Sequence, residues 1–245
     1  LRISHLIERK TAHLSGGEMQ RVSIGRAIVR EPQLFLMDEP LSNLDAKLRE
    51  KLRVELEHIQ KTQGSTTLFV THDQVEAMTM GGRICVLRDG LMMQIDTPQN
   101  LYDLPDNLFV AGFIGSPAMN LFEAELSGAG DGVSLQAGDF TLELPPDKAM
   151  YFRDYTEQKV IVGIRPEDFK RAAEHSPGQT IPATVEVVEP IGNETYVNVT
   201  ARDVSLIAAV GRRTLIKPHS SLNLVPIFEN MHLFDIRSQK SILGY

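Results

Sequence analysis

Apolar residues recur along this chain with two different periods, and the change falls near residue 118. Before it, helical and strand-like stretches alternate. Residues 16–30 carry Met19, Val22, Ala27 and Ile28 roughly along one side and predict a helix. Leu34-Phe35-Leu36-Met37 is a short apolar run closed by two acids, the pattern of a strand buried on both faces. Residues 46–63 predict the clearest helix, with Leu48, Leu52, Leu56 and Ile59 at helical spacing. Asp45 is placed to cap that helix and Gly64 to stop it. Residues 66–70 read as a strand, and 74–80 as a helix that Asp73 can cap. Residues 83–87 and 91–95 flank Asp89-Gly90, a hairpin signal. The alternation predicts an α/β layer with a partly parallel sheet.

Beyond residue 118 the texture is one of short alternating runs separated by Gly, Pro and Asn. Residues 121–126, 160–164, 183–188, 195–199, 205–209 and 222–227 are examples. Closely spaced strands with few helical stretches predict a small β-barrel or sandwich. The expected boundary lies in Gly115-Ser116-Pro117-Ala118-Met119-Asn120, giving an α/β part over 1–118 and an all-β part over 119–245.

Composition narrows the classes. The chain has 245 residues, 42% hydrophobic and 23% charged, which suits one or two globular domains and excludes wholesale disorder. A net charge of −7 argues against nucleic acid as a partner, since phosphate neutralisation needs clustered Lys and Arg. The part from Met119 onward holds 12 basic and 17 acidic residues and no basic–aromatic stripe. The one cysteine, Cys85, sits in the apolar run 84–87 and is expected to be a buried small side chain, in keeping with a reducing compartment. The longest uncharged stretch, residues 107–122, is broken by two glycines and Pro117 and falls short of the ~20 apolar residues of a membrane span.

Three places carry candidate chemistry. Ser15-Gly16-Gly17-Glu18 fits an S-x-x-E capping box at a helix start. It also fits an anion site, with exposed amides, two residues without side chains and a free hydroxyl. Asp38 and Glu39 end an apolar strand, at the sheet edge where α/β proteins bind ligands. One carboxylate there can hold a hydrated Mg²⁺ while the other polarises a water; a solvated acidic turn is the alternative. His72, in Thr71-His72-Asp73, ends the next strand and would point to the same edge.

The order of these segments resembles the ABC-transporter ATPases. Leu14-Ser15-Gly16-Gly17-Glu18 is similar to that family's signature motif, Leu34 to Pro40 to its Walker B motif, Leu41-Ser42-Asn43-Leu44-Asp45 to its D-loop and His72 to its switch histidine. The runs 38–49, 71–79 and 112–120 resemble the bacterial carbohydrate-importer branch, which includes maltose and glycerol-3-phosphate importer ATPases. Residues 162–168, 187–192 and 232–235 resemble that branch's regulatory region of small OB-like barrels, the match being weakest over 128–159. The resemblance implies an α/β partial P-loop NTPase-type ATPase domain followed by an all-β OB-like barrel domain.

It also implies roles. ATP would lie between two subunits, with Asp38 helping to hold Mg²⁺ and Glu39 as general base for attack on the γ-phosphate. His72 would contact that phosphate. Ser15, Gly16, Gly17 and Glu18 would meet the ATP of the other subunit, Glu18 standing where Gln is commoner, and Asp45 would communicate across the interface. Partners would be a second copy or second ATPase subunit, transmembrane permeases and, indirectly, a periplasmic solute-binding protein. The place of action would be the cytoplasmic face of a bacterial inner membrane. Sugar is the expected cargo, with polyamine or iron importers as the alternative.

One part of the family pattern is absent. The P-loop ends in Gly-Lys, and none of the nine lysines here follows a glycine. Only thirteen residues precede Leu14, and the chain opens without Met in a helical pattern. The expectation is therefore an ATPase domain without its Walker A strand and helix, inactive alone. Its α/β part is expected to be covered by other protein, distorted or poorly soluble. The competing class is a non-catalytic regulatory or dimerisation module.

Overall fold

Ser15 starts the first helix, α1 (Gly16–Ile28), through the reciprocal capping box that its spacing to Glu18 predicts. β1 (Leu34–Asp38) follows, then α2 (Ala46–Gln63), which Asp45 caps by accepting the Leu48 N–H at 3.0 Å and Gly64 ends at φ +62°. β2 (Thr66–Val70) pairs parallel with β1, Leu36 opposite Leu68 and Asp38 opposite Val70. α3 (Gln74–Met80) is capped by Asp73, which accepts the Val75 and Glu76 N–H groups. This computed structural model describes residues 1, 3–30, 32–129, 132–152, 155, 158–172, 178–212 and 214–242.

The chain divides into two compact units, Leu1–Ile84 and Cys85–Tyr245. In the first, Phe35, Leu52 and Leu56 are buried, and Met37 and Phe69 pack with Leu41, Leu44 and Ile24. The opposite face of the two strands is bare: Leu36 is 71% exposed and Leu68 58%, with Leu34 and Val70 also in water. The expectation that β1 is buried on both faces is thus corrected. A two-stranded sheet among the described residues has helices against one side only.

The second unit opens with the hairpin β3 (Ile84–Arg88) and β4 (Leu91–Asp96), turned by Asp89 at φ +52° and Gly90 at φ +79°. Only one face of β3 is covered, so Val86 is buried while Cys85 is exposed, against the reading of Cys85 as a core residue. Two short helices follow, α4 (Pro98–Asp103), capped by Thr97, and α5 (Leu108–Phe113), capped by Asn107.

The β-rich part begins with β5 (Asn120–Ala129), β6 (Gly132–Ala137) and β7 (Phe140–Glu143). Helix α6 (Pro146–Phe152) leads to β8 (Lys159–Ile164) and β9 (Phe169–Ala172). Then come β10 (Ile181–Pro190), β11 (Thr195–Ala201), β12 (Val204–Ala209), β13 (Ser221–Pro226) and β14 (His232–Asp235). They form two five-stranded antiparallel sheets, β14-β8-β5-β6-β7 and β12-β11-β10-β13-β9. Leu126, Leu142, Phe152 and Val162 join Val185, Val199, Leu206 and Leu224 in one core, so the two sheets share an interior. Asn120 latches them together: its amide donates to the carbonyls of Ile164 and Ile207, and it accepts the Ile207 N–H.

The boundary expected at residue 118 falls inside this second unit. Residues 85–118 are bound to the β-rich part by a buried guanidinium. Arg165 donates to the carbonyls of Tyr102 and Ile114 and stacks 3.5 Å from the centre of the Tyr102 ring. Ala111 packs with Met119 and Phe234, and the Leu108 N–H reaches the Gln239 carbonyl. Residue spacing alone gives no sign of such contacts, whose hydrogen-bonded partners lie from 51 to more than 100 residues apart.

Candidate functional site

All of the predicted site residues lie in the first unit, in two groups. The first is built on the start of α1 and the loop before α2. Ser15, Gly16, Gly17 and Glu18 form the opening turn, and with Asp45 they line an open recess that Arg21 and Asn43 also face. A methyl group on Gly17 would stand 3.0 Å from Leu44 and 3.2 Å from the Asn43 carbonyl, so glycine is what lets the loop approach the helix. Gly16 has open space around it.

The hydroxyl of Ser15 is not free, and that part of the sequence reading is corrected. It accepts the Glu18 N–H at 3.3 Å and donates to Glu18 Oε2 at 3.0 Å, while the Ser15 N–H donates to the same oxygen at 2.9 Å. These hydrogen bonds from Ser15 hold the Glu18 carboxyl below its ordinary pKa, with help from the Arg9 charge. An acid at this position is therefore satisfied within its own helix turn.

The second group sits at the tips of the parallel strands. Asp38 is the exposed last residue of β1, and Glu39 follows it at φ +43°, a left-handed conformation that costs a non-glycine residue energy. The surroundings fix that conformation. Glu39 donates its N–H to the Val70 carbonyl at 2.9 Å. Its own carbonyl accepts from the Ser42 N–H, the Ser42 hydroxyl and the Gln20 amide.

So held, the Glu39 side chain meets His72, two residues beyond the end of β2. Oε1 of Glu39 lies 2.7 Å from Nδ1 of His72, and both side chains remain open to water. The hydrogen bond and charge of Glu39 raise the pKa of the imidazole, so His72 stays protonated to higher pH than a free histidine. A carboxylate beside an imidazolium at a sheet edge can take a proton from water while the cation faces an anion.

Arg49, Gln20, Thr71 and Glu76 also take part in these groups, and none was singled out for a role from sequence. Arg49, Thr71 and Glu76 lie within the motif runs 38–49 and 71–79, but Gln20 meets Glu39 nineteen residues away and Arg49 meets Asp73 twenty-four away. No spacing rule reports those contacts.

Comparison with known proteins agrees with this architecture. Residues 1–42 match the family model described as ABC transporter, 115–169 the MalK OB fold domain and 175–218 the TOBE domain. The sequence is 44% identical to the trehalose/maltose import ATP-binding protein MalK of Thermococcus litoralis, covering 99% of this chain and 66% of that protein. It is 43% identical to the diacetylchitobiose uptake system ATP-binding protein MsiK of Streptomyces coelicolor, over 96% of this chain and 65% of the relative. It is also 43% identical to the osmoprotective compounds uptake ATP-binding protein GgtA of Synechocystis sp., over 99% and 67%. The chain spans about two thirds of the length of these relatives. With its ABC transporter, OB and TOBE segments and these relatives at 43–44% identity, the chain belongs to the ABC-transporter family of import ATP-binding subunits.

Proposed function

We propose that this chain is part of an ATP-hydrolysing subunit that powers an importer, with sugars as cargo. The observation that carries the reading is the Glu39–His72 pair at the tips of adjacent parallel strands. Glu39 accepts the proton of the attacking water, and the His72 imidazolium faces the charge that develops on the γ-phosphate. Asp38 is exposed beside them, and its single carboxylate fits Mg²⁺, which keeps several waters and takes one or two protein carboxylates with the phosphates. When bound, that ion neutralises phosphate charge.

The recess lined by Ser15, Gly16, Gly17, Glu18 and Asp45 is a separate surface of the same unit. We assign it to the nucleotide held by a second ATPase subunit, with Asp45 at the contact between the two. Transmembrane permeases are the further partners, this chain working at the cytoplasmic side of the membrane and a periplasmic solute-binding protein reaching it only indirectly, through the permeases. Relatives named for trehalose/maltose and diacetylchitobiose support a sugar cargo.

This stretch of sequence by itself is not expected to turn over ATP, since it carries no Gly-Lys pair for a phosphate-cradling loop. The test is Mg-ATP hydrolysis and binding by the purified 245-residue chain, and by the protein extended upstream in its own reading frame. Turnover only in the extended protein, abolished by Glu39→Gln, is the expected result. Micromolar binding and turnover by the chain alone would refute the assignment.

A further inference from the structure

Arg49 stands in α2 with its guanidinium between two loops. Nη2 donates to the carbonyls of Ser42 at 3.5 Å and Leu44 at 3.3 Å, in the loop that ends at Asp45. On the other side, Nη1 donates to Asp73 Oδ2 at 3.4 Å, and Nε lies 3.9 Å from Glu76 Oε1. Glu76 is only 3% exposed, and a carboxylate that deep needs partners. It finds a second one in Thr71, whose hydroxyl donates to Glu76 Oε2 at 2.7 Å and accepts the Asp73 N–H at 3.0 Å. Both chain neighbours of His72 therefore belong to the network that Arg49 closes.

Of the side chains, only a planar guanidinium with five donors can serve two carbonyls and two carboxylates from one position. Its buried Nε makes no hydrogen bond and meets Glu76 only as an ion pair at 3.9 Å.

We infer that Arg49 is a positioning residue that ties the Asp45 loop to the His72 loop, so that a displacement of Asp45 at a subunit contact reaches the imidazole facing Glu39. The link is a property of this chain; its catalytic consequence rests on the hydrolysis proposed above. Two measurements test them separately.

The first is amide hydrogen exchange on the 245-residue chain. Arg49→Met should raise exchange at Ser42, Leu44 and Asp73 together by about tenfold, leaving β1 and the last turns of α2 unchanged. The second is steady-state ATP hydrolysis by the upstream-extended protein. There kcat should fall about ten- to hundredfold, with KM for Mg-ATP unchanged within about twofold. Arg49→Lys, which keeps the charge but not the fork, should show the same pattern and decides the matter if Arg49→Met does not fold. Adding Glu76→Gln to Arg49→Met should cost nothing further, because the two act as one unit. Exchange rising in only one loop, or kcat unchanged with both loops loosened, would overturn the inference. If the unaltered extended protein hydrolyses no ATP, the functional assignment falls, and the exchange result alone decides the link.

Discussion

The two units of this chain solve the burial problem to very different degrees. The second closes two five-stranded sheets on one interior in which Leu142, Phe152, Ile181 and Leu224 are almost wholly out of water. The first has two strands, packs one face of them on helices and leaves Leu36 and Leu68 exposed on the other. Yet all the candidate site residues, from Ser15 to His72, are in the first unit. The difference teaches that the part with the candidate site is not the part that supplies most of the burial.

Core deletion should give the sharpest contrast. Phe152→Ala is expected to destabilise the second unit by about 3–5 kcal/mol, because the void left by a fully buried ring cannot refill. Calorimetry of the intact chain should show that unit's transition move and the first unit's stay in place. A common shift of both would mean that the units melt as one and would break the comparison.

A pH effect of nearly that size should also be confined to the second unit. His232 is buried there on β14, and burial, followed by the Arg165 charge, pushes its pKa down to about 4. A histidine with a depressed folded pKa contributes its full stability above the unfolded value near 6.5. That contribution is lost as pH falls toward 4, by about 3 kcal/mol. Urea unfolding across that range should show the loss, and His232→Asn should flatten it. His72 has the opposite sign: its raised pKa favours folding below pH 6.5 and the advantage disappears at higher pH, weakly because the group is exposed.

The smallest effect is expected on the bare sheet face. Leu36→Ser should change stability by no more than about 0.5 kcal/mol, since its side chain already stands in water. Light scattering should show less self-association. A large loss of stability would mean that this face is packed in solution.

Much of the first unit could be read from residue order. Residues 46–63, 66–70 and 74–80 form the expected elements, because Asp45, Gly64 and Asp73 mark the helix ends by local hydrogen bonding. Helix α1 stops at Ile28, two residues before the expected end. In the second unit the expected strands begin and end close to their expected places, whereas β6, β7, β9, β14 and the helices α4, α5 and α6 are not among the expected elements. These elements are only four to seven residues long, so although β6 and β7 alternate buried and open positions, periodicity has little length to act on. Cys85 and the β1 face were misjudged for one reason: a short apolar run does not say how many layers lie against it.

By itself, the sequence determined what is local or linear. It set the capping box at Ser15, the acids that end β1, the Asp89-Gly90 turn and the motif order that marks the family. Those follow from hydrogen bonds and dihedral limits within a few residues. Only the tertiary structure decided which distant groups meet. It brought Glu39 against His72, spread Arg49 over two loops, fastened residues 85–118 to Arg165 and left Leu36 in water. Each of these depends on how elements pack across dozens of residues, where burial and the satisfaction of polar groups choose the partners.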